Sequence, residues 1–259
     1  MFNLTCHNAM VLFRTLRLAL VAVLLSSTFG CREILHDILD DIHDDEEEPT
    51  TFVVTVENVS EPGLIDTDRA NGIVPLSPGV FALYKTTAGA KAVFAPHMPA
   101  DEGTELIAED GMAMVKADQL AGEESIGMSG VLSPDGPILP GEPYSFEVTA
   151  LPGYYLQIVT MFVQSNDWFY GFNDGGLPLF DGDEPIYGDV TEYISLYDAG
   201  TEADTAPGTG PDQVLAQEPG SSNVGPHDEI DVIKPVADRD FDFHVPENAS
   251  VIKITVKPK

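Results

Sequence analysis

Two short segments place oxygen-bearing side chains where they could do chemistry: QSNDWFYG (Gln164 to Gly171) and LYDAGTE (Leu196 to Glu202). In the second, Gly200 permits a tight turn, so the carboxylates of Asp198 and Glu202, four residues apart, can converge on one ion instead of diverging as on a regular strand. The chemistry would be coordination of a hard cation such as calcium, which takes about six to eight oxygen ligands. The same residues have a plainer use, because Asp198 and Thr201 also cap turns through side-chain hydrogen bonds. On the residues alone both readings stay open.

Other candidates carry less. DGDEP (Asp181 to Pro185) has D-x-D spacing, but between LPLF and YGDV it reads as a hairpin turn. His97, His227 and His244 lack the H-x-x-x-H or related spacing of a transition-metal site. Ser129, in IGMSGV, lacks the G-x-S-x-G elbow, and no nucleophile stands beside a base. The acidic pairs Asp183/Glu184 and Glu123/Glu124 are adjacent in sequence, which is not the paired geometry of glycosidase carboxylates. There is no phosphate-binding glycine loop and no cofactor motif. The residues therefore point to a binding module and not to an enzyme; a hydrolase acting on envelope polymers has no motif behind it. The aromatic run Trp168, Phe169, Tyr170 and Phe172 either packs over the end of the domain or forms a membrane-touching loop tip.

The elements that must position these residues show period two. FVVTVENV (Phe52 to Val59), DFDFHV (Asp240 to Val245) and SVIKITVK (Ser250 to Lys257) alternate as half-buried strands. YYLQIVTMFV (Tyr154 to Val163) is apolar on both faces and belongs in the middle of a sheet. Further strands are expected at Gly79 to Lys85, Ser125 to Leu132, Tyr144 to Leu151 and Thr191 to Tyr197. One helical stretch, about Thr104 to Leu120, breaks near Gly111. With 20 Pro and 23 Gly marking turns, the expected fold is all-β, an antiparallel β-sandwich with one short helical segment. Residues 203–229 hold Gly, Pro, Ser and acids without periodicity and read as a long functional or mobile loop.

The N-terminus has the parts of a secretory signal over residues 1–30: Arg14 and Arg17, the apolar run Leu18 to Leu25, then SSTFG before Cys31. Cys31 is at the acceptor position for lipid attachment, and it is the only cysteine left once Cys6 is removed with the signal. The expectation is an exported protein held to the bacterial cell envelope by a lipid membrane anchor on Cys31; plain secretion after cleavage at Gly30 is the alternative. Residues 31–50 form an acidic tether, which like-charge repulsion extends, and residues 51–259 form the folded domain. The chain carries a net charge of -31, which excludes nucleic acid as a natural partner.

Together, the D-W pair of Asp167 and Trp168 and the D-A-G-T-E turn of Asp198 to Glu202 resemble the spondin N-terminal domain family. PLSPGVFALYK (Pro75 to Lys85), EGTELIAEDG (Glu102 to Gly111), PYSFEVTALPG (Pro143 to Gly153) and GTGPDQ (Gly208 to Gln213) resemble its bacterial branch in order and spacing. The resemblance implies a C2-like antiparallel β-sandwich and a calcium site whose ligands fall on Asp167, Asp198 and Glu202, with Glu at the last position where animal members have Asp. It also implies a role in adhesion or in extracellular matrix and biofilm contacts with an unknown surface ligand. A purely structural role for the cation is the second reading.

Overall fold

Phe52, Val54 and Val56, spaced two apart, are fully buried in the first strand while the residues between them are only partly covered. Strictly alternating burial of this kind is what a sheet with one face on the core requires. The computed structural model describes residues 48–85, 93–217 and 225–259. The chain divides into two units, Met1–Glu48 and Pro49–Lys259, and apart from Glu48 the described residues belong to the second.

The strands are β1 (Thr50–Asn58), β2 (Gly79–Lys85), β3 (Ile126–Leu132), β4 (Pro143–Ala150), β5 (Tyr154–Met161), β6 (Trp168–Phe172), β7 (Leu177–Pro178), β8 (Phe180–Asp181), β9 (Glu184–Pro185), β10 (Gly188–Asp189), β11 (Ile194–Asp198), β12 (Lys234–Pro235) and β13 (Ile252–Pro258). A four-stranded sheet runs β10-β13-β1-β4, and a seven-stranded sheet runs β12-β11-β6-β5-β2-β3 with β7 paired to β5. All described pairings are antiparallel. Phe52, Val54, Val148, Ile254 and Val256 of the first sheet share one core with Phe81, Leu156, Ile158, Trp168 and Leu196 of the second.

The seven-stranded sheet is apolar on its other face too. There Val80, Ala82, Val159, Phe169 and Tyr197 pack with Ile107 and Ala108 of helix α1 (Glu102–Asp110) and Leu120 of α2 (Met114–Ala121). The domain is therefore a mixed α/β fold with two helices packed against sheets and no closed sheet, which corrects the expected all-β, C2-like β-sandwich. The cause is visible in β2, where six consecutive residues, Gly79 to Tyr84, are buried: a strand apolar on both faces needs a layer on each side.

Helix α1 is started by Asp101, whose carboxylate accepts from Thr104 N at 2.9 Å, and stopped by Gly111 in the left-handed conformation. Gly103 lets the two helices touch, since a Cβ there would lie 2.7 Å from Lys116 Cα. Lys116, a buried residue of α2, donates to Val93 O at 2.6 Å and pairs with Asp101 at 2.8 Å.

A further expectation changes. Asp240 to Val245 is not a strand; Phe241 and Phe243 both face Trp168, at 5.3 and 6.2 Å between ring centroids, so the segment is an aromatic strap. No helix among the described residues is long and apolar enough to cross a membrane, so they contain no helical membrane anchor; Cys31, on which the expected lipid anchor falls, and the tether up to residue 47 lie outside them. Asp181 to Pro185 forms the β8–β9 hairpin, and Trp168, Phe169, Tyr170 and Phe172 are buried.

If the helical layer is integral to the fold, Ile107→Ala should lower the unfolding free energy by about 2–5 kcal/mol, the usual range for truncating a buried aliphatic side chain. Urea denaturation checks this, and an unchanged midpoint would show that the helices do not contribute to the cooperative core.

Candidate metal centre

The β6–β11 ladder sets Asp198 across from Trp168, so Asp167, one residue before β6, lies beside the end of β11. Ala199 N donates to Asp167 O at 3.1 Å and extends that ladder by one rung. Beyond it the chain turns at Gly200, whose φ of +71° and approach to Val232 leave no room for a Cβ, which would lie 2.5 Å from Val232 O. The turn aims two main-chain amides at Asp167, whose Oδ2 accepts from Thr201 N (2.8 Å), Glu202 N (3.0 Å) and Thr201 Oγ1 (3.1 Å). Asp198 Oδ1 accepts from Gly200 N at 2.7 Å. One oxygen of each aspartate is thus used to build the turn.

Asp167, Asp198 and Asp204 each offer a carboxylate oxygen within 4.8 Å of the others, a spacing that could chelate a divalent cation. Asp167 and Asp198 are both 0% exposed, and Asp167 Oδ1 has no hydrogen-bond partner. A fully buried carboxylate oxygen left unpaired is costly, and a positive ligand would remove the cost. The donor set, all carboxylate oxygen, suits a hard cation rather than a thiophilic one.

Glu202 is not one of the three. Its carboxylate accepts from Gly225 N at 2.8 Å and faces Asn166 Nδ2 at 3.5 Å, so the sequence-level ligand set holds together at Asp167 and Asp198 while Asp204 takes the third place. Asp204 is held by Trp168 Nε1, which donates to its Oδ1. Asn166 steadies the same loop by accepting from Thr205 N (3.1 Å) and Thr205 Oγ1 (2.6 Å).

Asp204, Asp228 and Arg239 escape a reading by motif. Asp204 is the first acid of the aperiodic segment that follows the turn, and Arg239 is one of only 12 basic residues set against 43 acidic ones, which is the one signal that could have singled it out. Its guanidinium pairs with Asp198 Oδ2, with Asp204 Oδ2 at 2.8 Å and with Asp228 Oδ2 at 2.9 Å.

Burial, with the neighbouring charges of Asp198 and Asp204, pushes the Asp167 carboxyl well above the ordinary range, against the pull of the Thr201 and Glu202 amides. Burial likewise raises Asp198, opposed by Arg239. Burial and Asp198 push Asp204 up to about 7. Arg239 stays above its ordinary value despite burial, because Asp228, Asp198 and Asp204 favour its charge. Outside this cluster, burial pushes Glu109 of α1 to about 7, with Glu202, Glu105 and Asp110 adding to the rise and a Thr201 hydrogen bond opposing it.

No protein-family model matches the chain, and no curated protein matches it either. The class of protein defined by the structure is thus a mixed α/β domain with a buried carboxylate centre.

Raised carboxyl pKa values make the folded state bind more protons than the unfolded one. Their stabilising contribution is complete below the unfolded value, near 4, and is lost as pH rises through about 7. In chelator, the melting temperature should therefore fall between pH 5.5 and pH 8. Asp204→Asn and Glu109→Gln should each flatten part of that slope. A slope that both variants retain in full would contradict the assignment.

Proposed function

We propose that this is an exported, non-catalytic calcium-binding domain serving adhesion or extracellular matrix contacts, with Asp167, Asp198 and Asp204 as the carboxylate ligands. The observation that carries the cation reading is Asp167 Oδ1, buried and unpaired beside two further carboxylates. Calcium is favoured over magnesium because the donors come from a strand end, a turn and a loop, an irregular set that suits calcium's larger and more flexible shell. Export draws on the N-terminal signal pattern, and the adhesive role on the spondin-like motifs and the strongly acidic composition. Glu202 supports the centre through its main-chain amide on Asp167 rather than as a ligand.

An ion that neutralises the cluster stabilises the folded state by linkage, about 2.7 kcal/mol at 100 times its dissociation constant. Calcium should raise the melting temperature of the chain, and magnesium should raise it less. Asp204→Asn should remove most of the rise and Glu202→Gln much less of it, while Asp181→Asn, in the β8–β9 hairpin, should behave like the wild type. No calcium-dependent rise in the wild type would refute the proposal, and a loss confined to Asp181→Asn would move the ion to the hairpin.

A further inference from the structure

The centre already contains a cation. Arg239 sets Nη1 against Asp198 Oδ2 and Nη2 between Asp204 Oδ2 and Asp228 Oδ2, and only 13% of its side chain reaches solvent. Two of the three carboxylates assigned to the divalent ion are thus engaged by a guanidinium. We propose that Arg239 is a built-in competitor that sets the cation affinity of this site: guanidinium and divalent ion are alternative counter-ions for Asp198 and Asp204. The inference rests on the cation reading above.

Arginine is suited to the task. A lysine could yield by losing its proton, whereas a guanidinium keeps its charge, and its planar fork spans two carboxylates at once. The divalent ion therefore meets like-charge repulsion at close range unless Arg239 moves. Asp167 lies outside the arginine's ion pairs and keeps its unpaired Oδ1, which gives an arriving ion a first ligand. Space for the displaced side chain exists, because Arg239, Phe241 and Phe243 line a cleft of about 400 Å³.

Two consequences follow. The site fills at a higher ion concentration than it would without the guanidinium, because the ion must displace or oppose that charge. Filling also reaches the aromatic strap. Arg239 lies 5.4 Å from the centre of the Phe241 ring, Phe241 stacks on Phe243 at 4.6 Å, and both face Trp168. Ion binding thereby reshapes the cleft that the strap lines.

The test is a calorimetric titration of calcium chloride into the full-length wild type, Arg239→Gln and Arg239→Lys. Arg239→Gln should bind at least tenfold more tightly than the wild type, with Arg239→Lys between them. Saturable binding by the wild type with equal or weaker binding by Arg239→Gln overturns the proposal and leaves the cation reading standing; no saturable binding by either protein overturns both. Should Arg239→Gln fail to fold, the wild type still decides. Its Trp168 emission should change with the calorimetric midpoint, and calcium binding that leaves that emission unaltered overturns the competition.

Discussion

The pairing of β6 with β11 forces together two carboxylates that would otherwise repel each other. Asp167 and Asp198 are adjacent because Trp168 and Asp198 are register partners in a ladder whose other residues, Phe169 to Phe172 with Ile194, Leu196 and Tyr197, are buried. Sliding β6 by one residue would turn Trp168, Tyr170 and Phe172 to the helix-covered face and Phe169 to the face between the sheets. Hydrophobic burial along the two strands therefore holds the acids in place, and the local cost is offset by packing elsewhere. The surrounding features answer that cost: two amides and a hydroxyl on Asp167, one amide on Asp198, an indole on Asp204 and a guanidinium shared among three acids.

These answers leave Asp167 Oδ1 with neither a hydrogen bond nor an ion pair, whereas Asp198 Oδ2 has at least its ion pair with Arg239, and that incompleteness is what separates this centre from an ordinary buried ion-pair network. A finished network satisfies every lone pair and rigidifies the core. Here, three carboxylates share one guanidinium while Asp167 stands outside its ion pairs, and burial first, with the neighbouring acids second, raises the carboxyl pKa values of Asp167 and Asp204. Asp204 and Asp228 lie between β11 and β12, and Arg239 directly precedes the strap. Segments without regular secondary structure thus meet at a point set by the sheet.

Much of the strand layout was legible because its burial is periodic: β1 and β13 alternate cleanly, and β5 is apolar on both faces. The helical layer was under-read for the same reason that it exists. The apolar faces of Tyr154 to Val163 call for cover on both sides, but the sequence from about Thr104 to Leu120, broken near Gly111, reads as one helical stretch and not as a layer over the sheet. Asp240 to Val245 misled because alternating Phe241 and Phe243 satisfy a strand pattern equally well when both rings pack on one indole. At the site, Asp167 and Asp198 were reached through the motifs of a resemblance. Asp204 and Arg239 converge from loops, where spacing along the chain says little about distance, and Glu202 was displaced because its side chain turns to the amide of Gly225.

Trp168, the sole tryptophan of the chain, donates its indole N–H to Asp204 and so stands at the edge of the carboxylate centre as a natural antenna. The most direct measurement is terbium luminescence excited through that indole, with terbium as the stand-in for a hard, oxygen-seeking cation. Binding at Asp167, Asp198 and Asp204 predicts sensitised emission that saturates at one equivalent, is reversed by calcium and is lost in Asp167→Asn. Absence of sensitised emission from the folded wild type, or emission that persists undiminished in Asp167→Asn, would contradict the existence of a cation site in this centre.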